Sequence, residues 1–294
     1  ARDMPMMFSR GCPYQCTFCS NPAMWTTRYI LRDVDDVIAE VKSYIAKYNI
    51  TAVQLYDLTA IVKKRWIVEF LGKLIDQDIK IQWDFPSGTR SESLDEEALS
   101  LLKKAGTQYI CFAPESASER TLKDIKKRID LDRMTEAMKA AIRLGFVVRA
   151  NTIIGFPDET RGDIYRTLFY GIRAVFMGVD EIQPYIYMPY PGSELFKRLE
   201  TEGKIEINDD YFLSLSGLNS DLTSLSPLTF NKNVGSRELA IYRLIFTMFC
   251  YGLGYLVRPK RIIRTIKNVL GHENAATVFE HRLKDALRRK KQAS

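Results

Sequence analysis

Three cysteines, Cys12, Cys16 and Cys19, fall within the run Gly11-Cys12-Pro13-Tyr14-Gln15-Cys16-Thr17-Phe18-Cys19. This CxxxCxxC places three thiolates on one short loop. They can hold three corners of a cubane iron–sulfur cluster and leave its fourth iron without a protein ligand. An open iron is a place for chemistry. A bare CxxC such as Cys16 to Cys19 also occurs in zinc knuckles and redox dithiols. A structural zinc wants four ligands, yet the remaining candidates, Cys111, Cys250, His272 and His281, are isolated far along the chain. Five cysteines is an odd number, and no secretory segment is recognisable, so reduced thiols and a cytoplasmic setting are expected rather than a disulfide framework.

The elements that position such a loop follow from length and pattern. At 294 residues and 46% hydrophobic content, the chain can bury a large core as one long α/β domain or as a domain with an appendage. Short β-branched or aromatic runs alternate with longer helical patterns. Predicted strands cover residues 4–9, 52–56, 79–85, 109–113, 147–154 and 181–188. After the first of them, Val34, Val37, Ile38, Val41 and Ile45 share one helical face. Ser93 with Glu96 forms a candidate capping box for a helix that Gly106 would stop, and Thr160 with Asp163 marks another helix start. This alternation demands a parallel sheet with helices outside. Six units favour a partial (βα)6 barrel of the TIM type over residues 1–200, with a lid loop and mainly helical extension over residues 201–294. In such a barrel the loops leaving the C-terminal strand ends form the active face, and the cysteine loop directly follows the first strand.

The net charge is +7, but residues 258–294 alone carry 11 Lys or Arg against 3 Asp or Glu. The body of the chain is therefore close to neutral. General nucleic-acid binding is not expected, because a binding groove needs positive charge spread along a face. The longest apolar run, residues 244–257, has 14 residues, short of the roughly 20 that span a bilayer as a helix. No membrane-spanning helix is expected. Residues 239–257, followed by Arg258-Pro259-Lys260-Arg261, read as a core helix on the barrel in preference to an interfacial membrane helix serving a lipid-like substrate. Residues 214–233 read as a long loop over the barrel mouth, a candidate substrate lid.

With these elements in place, the residues from 4 to about 200 resemble the radical S-adenosylmethionine (SAM) superfamily. Phe18, before the last cysteine, matches the aromatic that the family sets against adenine, and Gly11 would let the backbone approach the cluster. Ala113-Pro114-Glu115-Ser116-Ala117-Ser118 is similar to the family's G-x-E-S-G-S, although both glycines are replaced. Thr152-Ile153-Ile154-Gly155-Phe156-Pro157-Asp158-Glu159-Thr160 resembles its I-x-G-x-P-x-E-T signature. Pro189-Tyr190-Pro191-Gly192-Ser193-Glu194-Leu195 resembles the P-Y-P-G-T-x-L turn of the cobalamin-associated branch, which holds cyclase-like, methylase-like and methylthiotransferase enzymes. One departure stands out. Where many members end the second strand with Gly-Gly-Glu, this chain reads Tyr56-Asp57-Leu58-Thr59.

The resemblance implies a 4Fe-4S cluster on Cys12, Cys16 and Cys19 that opens SAM reductively to start radical chemistry on a small-molecule or lipid-like substrate. The expected outcome is methyl transfer or oxidative cyclisation, with electrons from a donor such as flavodoxin or ferredoxin. It assigns Phe18, Asp57, Glu115 and Ser116 to SAM, and suggests that Asn151, Gly155 and Tyr185 line the adenosine. Arg90 is suited to gripping a carboxylate bidentately. Plainer readings stand beside these: Asp57 and Glu115 as helix caps or ion-pair partners, Arg90 as an ion-pair partner of Glu92 or Asp95, Gly155 as a bend, Tyr185 as core, and Cys111 as a small buried hydrophobe. Cobalamin-dependent relatives carry their cobalamin domain ahead of the first strand, so the expectation is a catalytic portion whose cobalamin is bound by a domain absent from this chain. A methylthiotransferase-like enzyme acting on RNA or protein, and a zinc-stabilised binding protein, are the alternatives.

Overall fold

The computed structural model describes residues 2–59, 61–90, 94–217, 228–271 and 276–293. β1 (Asp3–Met6), β4 (Ala52–Leu55), β5 (Gln82–Thr89), β6 (Tyr109–Glu115), β7 (Val147–Ile154) and β8 (Glu181–Ile186) form a six-stranded parallel sheet in that order. Between β1 and β4 the short pair β2 (Ser9–Arg10) and β3 (Ile30–Leu31) runs antiparallel, with the short helix α1 (Asn21–Met24) in the connection between them. The crossovers are α2 (Val34–Tyr48), α3 (Lys64–Asp76), α4 (Glu96–Lys104), α5 (Glu119–Asp124) with α6 (Leu131–Arg143), and α7 (Arg161–Met177). Among the described residues β8 does not pair with β1, so the barrel is open on that side. This is the partial (βα)6 barrel that six βα units favoured.

Local chemistry explains most boundaries. Val34, Val37, Ile38 and Val41 are buried on the inner face of α2, and Asp33 caps its start by accepting from the amides of Asp35 and Asp36. Thr160 and Asp163 form the capping box expected at α7. For α4 the cap is Asp95, which accepts from the Ala98 amide, and the expected Ser93 lies outside the described residues. The first predicted strand divides in two: β1 stops at Met6, and Ser9 turns away to pair with Leu31. Phe8, between them, packs edge-on to Phe70 at 4.8 Å in the core beneath the cysteine loop.

The C-terminal part is helical: α8 (Glu194–Thr201), α9 (Asp209–Gly217), α10 (Ser236–Val257), α11 (Lys260–Leu270) and α12 (Val278–Ala293). Two expectations change here. Residues 214–217 complete α9 instead of opening a lid loop, and residues 218–227 of that expected lid lie outside the described residues. The apolar run belongs to a helix of 22 residues, long and apolar enough by length and composition to cross a membrane. Its length escaped the sequence reading because the helix begins in the more polar Ser236-Arg237-Glu238. α10 nevertheless lies along the barrel, against β8 and α7, with Leu239, Ala240, Phe246 and Cys250 buried.

Candidate active site

The cysteine loop is held from three sides. At its start Gly11 adopts φ +77°, and a Cβ there would come within 2.0 Å of the Arg28 carbonyl oxygen. Glycine is therefore required by the neighbouring backbone of the same loop. In its middle, the Thr17 amide donates to the Ile125 carbonyl at 3.0 Å, while the Thr17 carbonyl accepts from the Leu195 amide at 2.9 Å. Those contacts fasten the loop to the end of α5 and the start of α8. Beyond it, Asn21 donates through Nδ2 to the Cys12 carbonyl at 3.2 Å, and its amide lies 3.5 Å from Cys19 Sγ.

Asp57 anchors the turn that leads into the loop. Its Oδ1 accepts from the Ser9 amide at 2.5 Å and both carboxylate oxygens accept from the Phe8 amide at 3.1 Å, with the Ser9 hydroxyl as a further donor. Burial raises its pKa even so, against the pull of those donors. The departure from Gly-Gly-Glu thus supplies an internal anchor for the turn from β1 to β2.

Cys12, Cys16 and Cys19 border one cavity of about 370 Å³ at the C-terminal ends of the strands. Phe18, Arg90, Glu115, Asn151 and Tyr185 line the same cavity. Alternation along β7 sends Val148, Ala150, Thr152 and Ile154 into the buried layer and turns Asn151 and Ile153 to the cavity. The structure does not bring Ser116 or Gly155 to its wall, nor Asp57. Ser116 is fully buried, its hydroxyl 3.0 Å from that of Thr167. Gly155 has φ +83° and leaves room for Leu239 of α10, whose Cδ1 would lie 2.7 Å from an added Cβ.

Two lining residues carry no sequence motif. Lys127, in the connection after α5, places its ammonium 2.9 Å from Glu115, and the two side chains are 7% and 11% exposed. Tyr14, inside the cysteine loop, lies beneath Arg90, whose guanidinium carbon is 3.5 Å from the ring centroid. Arg90 also donates to the Arg128 carbonyl. Glu115 sits at φ +62°, in the left-handed region, where the β6 to β7 register shifts. Such a conformation costs a non-glycine residue about 1 to 3 kcal/mol and turns the side chain out of the strand sequence. The glycine missing at Ala113 is compensated across the sheet, since Gly88 of β5 leaves the space into which Ala113 Cβ projects, 2.7 Å from an ideal Cβ on residue 88.

Burial pushes the Cys12 and Cys16 thiols above their ordinary pKa, while Arg90 and Lys127 pull them down. Among the described residues no three of His, Cys, Asp or Glu converge as a single-ion site. Three thiols spaced around a cavity suit a cluster, whose ligands sit at separate corners. The wall also has polar atoms for an organic group. Asn151 Oδ1, Tyr187 Oη and Thr59 Oγ1 are buried and lack a hydrogen-bond partner, which is costly unless a ligand or water supplies one.

Residues 6–171 match the family model of the radical SAM superfamily. The chain belongs to the radical SAM superfamily. A methyltransferase of Pyrococcus horikoshii, itself described as uncharacterized, is 27% identical over 261 residues, or 89% of this chain and 53% of that protein. The anaerobic magnesium-protoporphyrin IX monomethyl ester cyclase of Rubrivivax gelatinosus is 28% identical over 202 residues, 69% of this chain and 35% of that one. Among solved structures, the radical SAM methyltransferase TsrM of Kitasatospora setae, with cobalamin and a 4Fe-4S cluster bound, superposes with a TM-score of 0.58. That match has 14% identity and covers 80% of this chain and 42% of TsrM, a likeness of fold. The chain spans about half, or less, of the length of these relatives. Membership makes this chain a radical SAM enzyme and favours that reading over a zinc-stabilised binding protein, and the relatives it resembles are a methyltransferase and a cyclase, the kinds to which the strand-end motifs pointed.

Proposed function

We propose that this cavity binds a 4Fe-4S cluster and SAM, and that the whole protein uses them for methyl transfer or oxidative cyclisation of a small organic molecule. The observation that carries the reading is the convergence on one cavity of three thiols, a buried ion pair, a stacked guanidinium and unpartnered polar atoms. When bound, the cluster and SAM would supply reductive cleavage of a carbon–sulfur bond as the start of radical chemistry.

The chain's own residues bind, orient and shield. Cys12, Cys16 and Cys19 ligate the cluster as thiolates, with Lys127 and Arg90 compensating their negative charge. Arg90, held flat on Tyr14 at the cavity wall, is placed to meet the SAM carboxylate. Glu115 accepts from the SAM ammonium while Lys127 keeps the carboxylate in place. Asn151 and Tyr187 offer their unpaired oxygens to the nucleoside, and Phe18 packs on adenine from the loop, braced by Phe156 at 5.7 Å. Cobalamin, present in the TsrM structure, is the further cofactor that this reading allows the whole protein. An electron donor such as flavodoxin or ferredoxin reduces the cluster.

Anaerobic reconstitution with iron and sulfide tests the assignment. About four irons per chain, and an electron paramagnetic resonance signal of the reduced protein that changes when SAM is added, support it. A single bound zinc, or a cluster signal indifferent to SAM, refutes it.

A further inference from the structure

α11 is oriented against the usual rule, by which an amphipathic helix on a water-facing surface turns its apolar stripe inward. Here the polar residues point in. Arg261 donates to the Gly178 carbonyl at 2.7 Å and lies 3.3 Å from Asp180. Thr265 and Asn268 donate to Glu280 of α12 at 2.9 and 2.8 Å. These buried bonds fix the rotation of the helix and leave Ile262, Ile263, Ile266 and Leu270 on one outward stripe, with Ile263 58% and Leu270 74% exposed. The end of α10 adds Leu256, 81% exposed, two residues before the connection to α11 begins.

The border of this stripe decides its partner. α11 contains Lys260, Arg261, Arg264 and Lys267 and no acidic residue. Arg261 and Arg264 are spent on Asp180, whereas the side chains of Lys260 and Lys267 have no ion-pair or hydrogen-bond partner among the described residues. Residues 258–294 as a whole carry 11 basic against 3 acidic side chains. An outward apolar stripe flanked by unpaired lysines complements a bilayer with anionic headgroups: apolar side chains enter the acyl boundary and ammonium groups meet phosphates. α10 packs one face on β8 and α7, which suits contact of the stripe with a membrane surface better than a span.

We propose that the outward face of α11, with the end of α10, docks this enzyme on an anionic membrane surface. The inference stands independently of the reaction assigned to the cavity.

Co-sedimentation of the full chain with vesicles of phosphatidylcholine alone, and of phosphatidylcholine mixed with phosphatidylglycerol, tests it. The chain is expected to pellet with the mixed vesicles and to stay in solution with the neutral ones. Ile263→Asp with Ile266→Asp should abolish binding, and Lys260→Gln with Lys267→Gln should weaken it at least tenfold, on the scale of about fivefold per lysine near an anionic surface. All four side chains are exposed, so an unchanged thermal midpoint in the variants shows that the fold persists. Three results would overturn the proposal: no pelleting with mixed vesicles, aspartate variants that bind like the wild type, or a wild-type dimer in analytical ultracentrifugation that the aspartate variants split into monomers. The last would make the stripe an interface between copies of the chain.

Discussion

The Lys127 ammonium and the Glu115 carboxylate meet at 2.9 Å beside the cysteine loop, both almost wholly withdrawn from water. Removing one partner of a buried pair strands the other charge. Lys127→Met is expected to cost about 3 kcal/mol of stability, and Lys127→Met with Glu115→Gln to recover at least about 1 kcal/mol of it. Urea denaturation of the two variants measures the difference.

Arg90 lies flat on Tyr14, and a lysine cannot reproduce either the stacking or the planar fork. Arg90→Lys is expected to weaken SAM binding to the reconstituted protein by roughly tenfold, from the loss of the stacked, two-pronged contact. The cluster content should stay at the wild-type level. Equilibrium dialysis with labelled SAM, alongside iron analysis, separates the two effects.

Glu159 is buried at the turn after β7, where it accepts from the amides of Gly155 and Phe156 at 2.7 and 3.2 Å. Burial pushes its pKa from 4.5 up to about 7. Between those values the folded protein holds a proton that the unfolded chain has released, so stability falls as pH rises through that window and levels off above it. Glu159→Gln is expected to remove this part of the slope. Urea midpoints taken at several pH values from 4.5 to 7.5 check it, about the interval set by the shift. An unchanged slope in the variant would show that the fall has another origin.

Gly88 and Ala113 occupy facing positions on β5 and β6 with room for one Cβ between them. Gly88→Ala is expected to destabilise by about 1 to 3 kcal/mol through overpacking. Adding Ala113→Gly in the same chain should restore most of the loss, since the space is then exchanged between strands. Failure of that rescue would mean that position 88 needs glycine for its backbone.

The contrast between these residues explains what could be read from the sequence. The thiol spacing, the βα alternation and the Thr160 cap are local patterns, each legible within a few residues, and each reappears in the structure. Lys127 left no such mark because its role depends on a turn that folds it back to Glu115, and lysines in short connections are ordinarily solvated. Asp57 was legible as an acid at a strand end, but not which way it would face. Its carboxylate turns to the Phe8 and Ser9 amides because the β1 to β2 turn leaves those donors buried and otherwise unpaired. The inverted orientation of α11 was hidden for a similar reason: the acids that hold its polar face, Asp180 and Glu280, are distant in sequence or belong to the next helix.

The most direct measurement of the central claim is 5′-deoxyadenosine production by the anaerobically reconstituted, dithionite-reduced chain given SAM, run beside Cys16→Ala. The wild type is expected to release 5′-deoxyadenosine and methionine, and Cys16→Ala to release neither above background. A cluster-loaded wild type that binds SAM yet forms no 5′-deoxyadenosine, or a Cys16→Ala variant that matches the wild type, would contradict the account.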